Sequence, residues 1–74
     1  MRKIVKDFAK AMEKKLKKND WKGGWDPCEI KYLFNRLKLE CIELKMAILD
    51  KDRDSESIKE ECVDVANFAM MIFA

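Results

Sequence analysis

The sequence predicts an all-α protein, an antiparallel helical bundle of about three helices per chain that oligomerisation completes. Of its 74 residues, 49% are hydrophobic and 41% are charged, with two Gly and one Pro, which is typical of long amphipathic helices. Apolar residues recur at helical spacing over about 2–18, 27–50 and 55–74, within a single domain. Because so short a chain buries a limited core, we expect a second copy to complete it.

The first predicted helix has a narrow apolar stripe and a basic side. Phe8, Met12 and Leu16 continue a stripe that begins at Ile4 or Val5. The opposite side carries Lys6, Lys10, Lys14, Lys17 and Lys18. We interpret these lysines either as a solvated face or as a surface that recruits an anion such as a polyphosphate.

A polar loop at 19–26 holds both tryptophans of the chain. Trp21 and Trp25 flank Lys22 and a pair of glycines. One interpretation is that the two rings cover the core of a small protein. The functional interpretation is a wall on which a nucleotide base stacks, with Lys22 and Lys18 as charges for phosphate.

The start of the second helix is predicted from its capping residues. Asp26 is the expected N-cap, Pro27 the first helical residue and Glu29 the reciprocal partner of a capping box. Projected at about 100° per residue, this helix is apolar on two sides. One stripe comprises Ile30, Leu33, Leu37, Cys41, Leu44 and Ile48. The roughly opposite stripe comprises Leu39, Ile42, Met46 and Leu49. A helix that is apolar on two sides needs cover on both, so we expect a second subunit to supply part of it.

The third helix begins near Asp54 or Ser55, either of which can cap it. From Glu61 onward its only polar side chains are Glu61, Asp64 and Asn67, which follow one edge of the helix. A helix that is apolar almost all round is expected to be buried.

The candidate functional residues are the acids of two motifs, Glu40-x-x-Glu43 and Glu61-x-x-Asp64. Residues three apart share a face of a helix, so each motif offers two carboxylates side by side, and an antiparallel hairpin would bring the pairs together. Four converging carboxylates repel each other unless a cation lies among them, and hard oxygen ligands suit Mg²⁺ or Mn²⁺.

The alternative explanation of the acids is ion pairing with nearby basic residues. Arg36 and Lys59 are close in sequence, but two basic residues do not neutralise four acids. Because buried charges are paired or coordinate metals, the acidic motifs indicate a metal site.

Composition excludes several other functions. The chain has three Cys and no His, which excludes a structural zinc site of four Cys/His ligands and a thiol nucleophile activated by His. The N-terminus lacks the apolar core of a signal peptide and no apolar run spans a membrane, so we expect a reducing, cytoplasmic setting without membrane partners. Residues 1–24 carry nine Lys/Arg against three Asp/Glu; a basic helix that binds nucleic acid is a further, weaker hypothesis.

Glu40-x-x-Glu43-Leu44, followed by Glu61-x-x-Asp64-Val65-Ala66-Asn67, resembles the MazG-like nucleotide pyrophosphohydrolases. This all-α NTP pyrophosphatase superfamily also includes dimeric dUTPases, dCTP pyrophosphatases and phosphoribosyl-ATP pyrophosphatase. Small phage and bacterial members are similar in three further motifs. These are Phe-Ala-x-x-Met-Glu-x-Lys-Leu at 8–16, Asn-x-x-Lys-Gly-Gly-Trp at 19–25 and Asp-Val-Ala-Asn-Phe-Ala-Met-Met at 64–71.

The resemblance implies Mg²⁺-dependent hydrolysis of a nucleoside triphosphate, with a deoxynucleotide preferred, to the monophosphate and pyrophosphate. It implies that Glu40, Glu43, Glu61 and Asp64 bind the metal and that the protein is a homodimer or homotetramer. Glu40 or Glu43 would accept the proton of the attacking water, and Asn67 would bond sugar or phosphate.

Two departures from the family are expected to matter. Trp21 stands where close relatives carry His, and a C-terminal fourth helix common in the family is expected to be missing. The alternative is therefore a catalytically inactive nucleotide-binding or protein-interaction module of the same fold.

Overall fold

The computed structural model describes residues 1–19 and 29–74 and builds them from three α-helices. Helix α1 is Lys3–Lys18, α2 is Ile30–Leu49 and α3 is Ser55–Phe73. These two segments contain no β-strand. The all-α prediction is confirmed, and the expected helix ends agree with the structure to within one residue, apart from the start of α2.

Helix α2 starts later than its capping residues suggested. The predicted N-cap Asp26 and first helical residue Pro27 lie outside the described residues. Glu29 itself occupies the position before the helix, with extended backbone (φ −68°, ψ 147°) and no capping bond from its side chain. Its predicted place as the third helical residue is therefore wrong.

The turn between α2 and α3 is held by local hydrogen bonds. Asp54 caps α3 as predicted, since its Oδ1 accepts a 2.7 Å bond from the backbone N–H of Ser57. On the other side of the turn, the Arg53 guanidinium donates to the carbonyl oxygen of Ile48 at 3.0 Å. These bonds satisfy backbone groups that the helix ends leave unpaired and stabilise a tight reversal of the chain.

Helices α2 and α3 form an antiparallel hairpin and make the main interhelical contact of the described chain. Near the start of α2, Arg36 lies over the ring of Phe68, 5.3 Å from its centroid. Farther along α2, Glu40 lies beside Glu61 and Asp64, so sequence order runs in opposite directions along the two helices. The hairpin thereby brings the two acidic motifs together.

The core lies between α2 and α3, with α1 against α3. Leu33 and Val63, 4% and 7% exposed, are the buried hydrophobic residues of the described chain. Helix α1 reaches α3 through its C-terminal half, where Met12 and Leu16 are half-buried while Ile4 is exposed. The core is small, as expected for this length.

Much apolar surface stays uncovered in the single chain. Phe73 is 91% exposed and most residues of α3 after Glu61 are half-buried, so the prediction of a wholly buried third helix is wrong for one chain. The physical reason is that α1 and α2 cover only part of its circumference. No helix within the described residues is long and apolar enough to cross a membrane.

Candidate metal centre

Three carboxylates meet where α2 passes α3. One oxygen from each of Glu40, Glu61 and Asp64 lies within 4.8 Å of the others, and all three side chains are half-buried. Glu61 and Asp64 share a face because they are one turn apart on α3, and Glu40 faces them from α2. The sequence predicted these three residues as metal ligands, and the structure brings them together.

Two basic side chains touch this cluster. Arg36 Nη2 lies 2.8 Å from Glu40 Oε1, one helical turn away on α2. Lys15 Nζ reaches across from α1 and lies 3.3 Å from Asp64 Oδ1. Glu61 has no ion pair with any residue that the structure describes. Three negative charges therefore face two positive ones, which leaves the centre with a net negative charge before Glu43 is counted.

The pKa values of two cluster acids are raised because their charged forms are disfavoured. For Glu61, burial raises the pKa most, and the charges of Asp64, Glu40 and Glu43 raise it further. For Glu40, burial again comes first and the Asp64 charge second, while the neighbouring Arg36 opposes the rise in pKa. A cation bound here would relieve both the repulsion and the cost of burying charge.

Glu43, the fourth predicted ligand, lies outside the group of three. Its side chain is exposed, one helical turn from Glu40 on α2. It is close enough for its charge to raise the pKa of both Glu40 and Glu61. Its role as a metal ligand stays a prediction.

Asn67 continues the acidic edge of α3 one turn beyond Asp64. It is 4% exposed, and its Nδ2 donates to the Met12 carbonyl oxygen at 3.4 Å. Its Oδ1 is buried and has no hydrogen-bond partner among the described residues. Because an unpaired buried acceptor is costly, this oxygen is an unsatisfied polar group on the edge of α3 that carries Asp64.

An open cleft of about 540 Å³ lies at the end of the hairpin and reaches the cluster. Glu43 and Glu61 line it together with three acids of the turn and one basic residue, Arg53. An acidic cleft repels a polyphosphate, so an anionic substrate would need accompanying cations.

The ion pair between Lys15 and the cluster was not predicted from the sequence. Lys59, which was considered as a partner of the acidic motifs, pairs elsewhere. Lys59 pairs with Glu56 at 3.7 Å and not with the cluster. The sequence feature that could have predicted the Lys15 ion pair is its position on α1. Lys15 is not on the basic side of the helix but lies between the apolar residues Met12 and Leu16. A lysine beside the apolar stripe can reach past it to the neighbouring helix.

Most of the residues predicted to bind the nucleotide lie outside the described residues. Lys18 is exposed at the C-terminal end of α1. Trp21, Lys22 and Trp25 lie outside the described residues, so their predicted roles stay predictions.

In the absence of divalent cations, lowering the pH from about 7 to about 5 is expected to increase the stability contributed by this cluster. Glu40 and Glu61 have pKa values raised above the ordinary 4.5. The folded state therefore takes up these protons before the unfolded state does, and this stability is lost as the pH rises through the raised values.

Urea unfolding of the wild type and Glu61→Gln at both pH values, with a chelator present, measures this effect. Glu61→Gln should show a smaller gain in stability on acidification, while Glu60→Gln, an exposed neighbour, should behave like the wild type. An equal pH dependence in Glu61→Gln and the wild type would contradict the expectation.

Comparison with protein-family models, with curated proteins and with solved structures finds no match to this chain.

Proposed function

We propose that this protein is a Mg²⁺-dependent hydrolase that splits nucleoside or deoxynucleoside triphosphates into the monophosphate and pyrophosphate. The observation that supports this best is the cluster of three half-buried carboxylates from two helices, with oxygens within 4.8 Å of one another. Carboxylate oxygens suit Mg²⁺, with Mn²⁺ as the alternative ion. The resemblance of the acidic motifs to MazG-like pyrophosphohydrolases supplies the type of reaction.

In this proposal Glu40, Glu61 and Asp64 hold the metal, and Glu43 joins them from the rim. Bound Mg²⁺ would supply positive charge that polarises the α-phosphate and lowers the pKa of a bound water. A cation bound there would compete with Lys15 for Asp64, because both are attracted to the same carboxylate.

Glu40 and Glu43 are the two candidates for the general base. Burial and the neighbouring Asp64 charge raise the pKa of Glu40, but Arg36 occupies one of its oxygens. Glu43 has no ion pair with the described residues and lines the cleft. Glu43 is therefore freer to take the proton of the attacking water.

We assign binding of the nucleotide to the residues that the sequence predicted for it. Lys18 and Lys22 would neutralise phosphate charge, and Trp21 or Trp25 would stack on the base. Asn67 would offer its unpaired Oδ1 to a sugar hydroxyl. The proposed assembly is a homodimer or homotetramer in the cytoplasm.

The second candidate function is a non-enzymatic module that binds nucleotide or a partner protein. The ion pairs of Lys15 with Asp64 and of Arg36 with Glu40 favour it, because they satisfy two of the three acids without a metal. In that case the acids would stabilise the contacts between helices rather than perform chemistry.

A panel of natural and damaged deoxynucleoside triphosphates distinguishes the two functions. Each nucleotide is incubated with the protein and Mg²⁺, and pyrophosphate and monophosphate are measured together. Equal amounts of both products, absent with a chelator, would support the hydrolase. Mg²⁺-dependent thermal stabilisation without turnover of any nucleotide would support the binding module instead.

A further inference from the structure

One lysine of α1 reaches the acidic cluster from a third helix. Lys15 Nζ lies 3.3 Å from Asp64 Oδ1, and the lysine side chain is 35% exposed. Burial raises the pKa of both Glu40 and Glu61, and the charge of Lys15 opposes both rises. The ammonium group is therefore close enough to act on all three carboxylates, although it pairs with only one of them.

The two basic residues of the cluster are held differently. Arg36 lies one turn from Glu40 on the same helix, 2.8 Å from its carboxylate, and also lies over the ring of Phe68. Among the described residues, the side chain of Lys15 has a single polar partner, Asp64, on another helix. Because a lysine side chain is long and flexible, Lys15 is the cation that can leave its partner at the lower cost.

One of these two basic side chains becomes surplus once a divalent cation lies in the cluster. The ionised carboxylates of Glu40, Glu61 and Asp64 carry three negative charges, which a divalent cation and Arg36 balance between them. Glu43 is exposed, so water and salt screen its charge. Lys15 would then face a neutral centre with a positive charge close by, and its attraction to Asp64 would be largely cancelled.

We propose that Lys15 exchanges Asp64 for a phosphate group of the substrate when the cation binds, and so links the two binding steps. The inference rests on the proposed function, from which it takes the metal centre and a polyphosphate substrate. The protein then binds the cation first and the anion second, because the ammonium group that contacts the anion is released only by the cation.

The position of Lys15 on α1 suits a phosphate. Lys18 lies one turn farther along the helix and is exposed. Residues three apart are neighbours on a helix surface, so the two ammonium groups form a short basic row that begins at the cluster. Among the described residues that line the acidic cleft, Arg53 is the one basic side chain, and it donates to the carbonyl oxygen of Ile48. Lys15 thereby connects the metal centre to a lysine already assigned to phosphate.

The exchange needs a rotation of one side chain and no movement of α1. Asn67 Nδ2 donates to the Met12 carbonyl oxygen at 3.4 Å, one turn before Lys15. This bond and the half-buried side chains of Met12 and Leu16 hold the C-terminal half of α1 in place. Because Lys15 is partly exposed, its ammonium group can turn outward while the helix stays docked.

Two titrations of the wild type and three variants test the exchange, at about 0.15 M salt so that mainly close charges act. In the first, Mg²⁺ alone is titrated by calorimetry, with Mn²⁺ followed by electron paramagnetic resonance as a second readout. In the second, inorganic tripolyphosphate is titrated with Mg²⁺ in excess, so that the anion is added as its magnesium complex. Tripolyphosphate carries no base or sugar, so the base preference of the protein does not affect the result.

We expect Lys15→Met to change the two affinities in opposite directions. The variant keeps an unbranched side chain but loses the charge, so Mg²⁺ should bind about threefold to tenfold more tightly. The tripolyphosphate complex should bind about threefold to tenfold more weakly. Lys15→Arg should restore the affinity for tripolyphosphate, and Lys31→Met, which removes an exposed positive charge from α2, should match the wild type in both titrations. Circular dichroism checks that each variant is helical.

Three results would overturn the inference. Equal or weaker Mg²⁺ binding by Lys15→Met would show that Lys15 does not compete for the site, and would leave the metal centre itself standing. Tighter Mg²⁺ binding with unchanged affinity for tripolyphosphate would make Lys15 a counter-ion only. Absence of Mg²⁺ binding in the wild type and in every variant would remove the metal centre, and the proposed function with it.

Discussion

Replacing Asp64 with asparagine is expected to abolish Mg²⁺-dependent release of pyrophosphate, with kcat/KM lower by about a thousandfold or more. The substitution keeps the size of the side chain but removes the charge that pairs with Lys15 and that the proposed metal would need. The helical fold should persist, because Asp64 is only half-buried and relief of repulsion from Glu40 and Glu61 offsets the lost ion pair.

The measurement is pyrophosphate release with circular dichroism on the same samples. Glu60→Gln is the matched control, since it removes one exposed negative charge from the same helix and should keep full activity. Glu43→Gln is expected to abolish turnover as well, while Mg²⁺ still stabilises the protein through the other three acids. Unchanged turnover in the Asp64 variant would exclude the proposed metal centre.

Shortening Leu33 to alanine is expected to lower the free energy of unfolding by about 2–5 kcal/mol. Leu33 is 4% exposed and is one of the two buried hydrophobic residues of the described chain. The total stability of a domain of 74 residues is roughly 4–11 kcal/mol, so loss of this one side chain removes a large part of it.

Urea unfolding at a fixed protein concentration measures the Leu33 effect. Ile30→Ala is the matched control, because Ile30 is on the same helix and 67% exposed; its cost should stay below about 1 kcal/mol. Equal effects of the two substitutions would show that the contact between α2 and α3 is not the centre of stability.

The helices could be read from the sequence because their signals are local. Apolar periodicity and the Asp54 cap depend on residues within a few positions of one another. The same local geometry predicted that Glu61 and Asp64 share a face, and the short polar turn predicted that Glu40 would meet them. The start of α2 was misplaced because the capping pattern put Glu29 inside the helix, whereas Glu29 lies before it and makes no capping bond with its side chain.

Burial was harder to predict than helicity. The apolar composition of α3 indicated a buried helix, yet Phe73 is largely exposed and only Val63 and Asn67 are buried on that helix. An apolar composition indicates that burial of a helix is favourable. It does not indicate whether one chain has enough neighbouring helices to cover that helix.

What the sequence by itself determined is the all-α class, the helix ends inside the described residues other than the start of α2, and a set of four acids that includes the three carboxylates of the cluster. Only the tertiary structure decided that Lys15, among seven lysines of α1, reaches Asp64, and that burial raises the pKa of Glu40 and Glu61. The physical reason is that a helix face follows from local spacing, whereas the rotation and depth at which two helices dock follow from the packing of side chains distant in sequence.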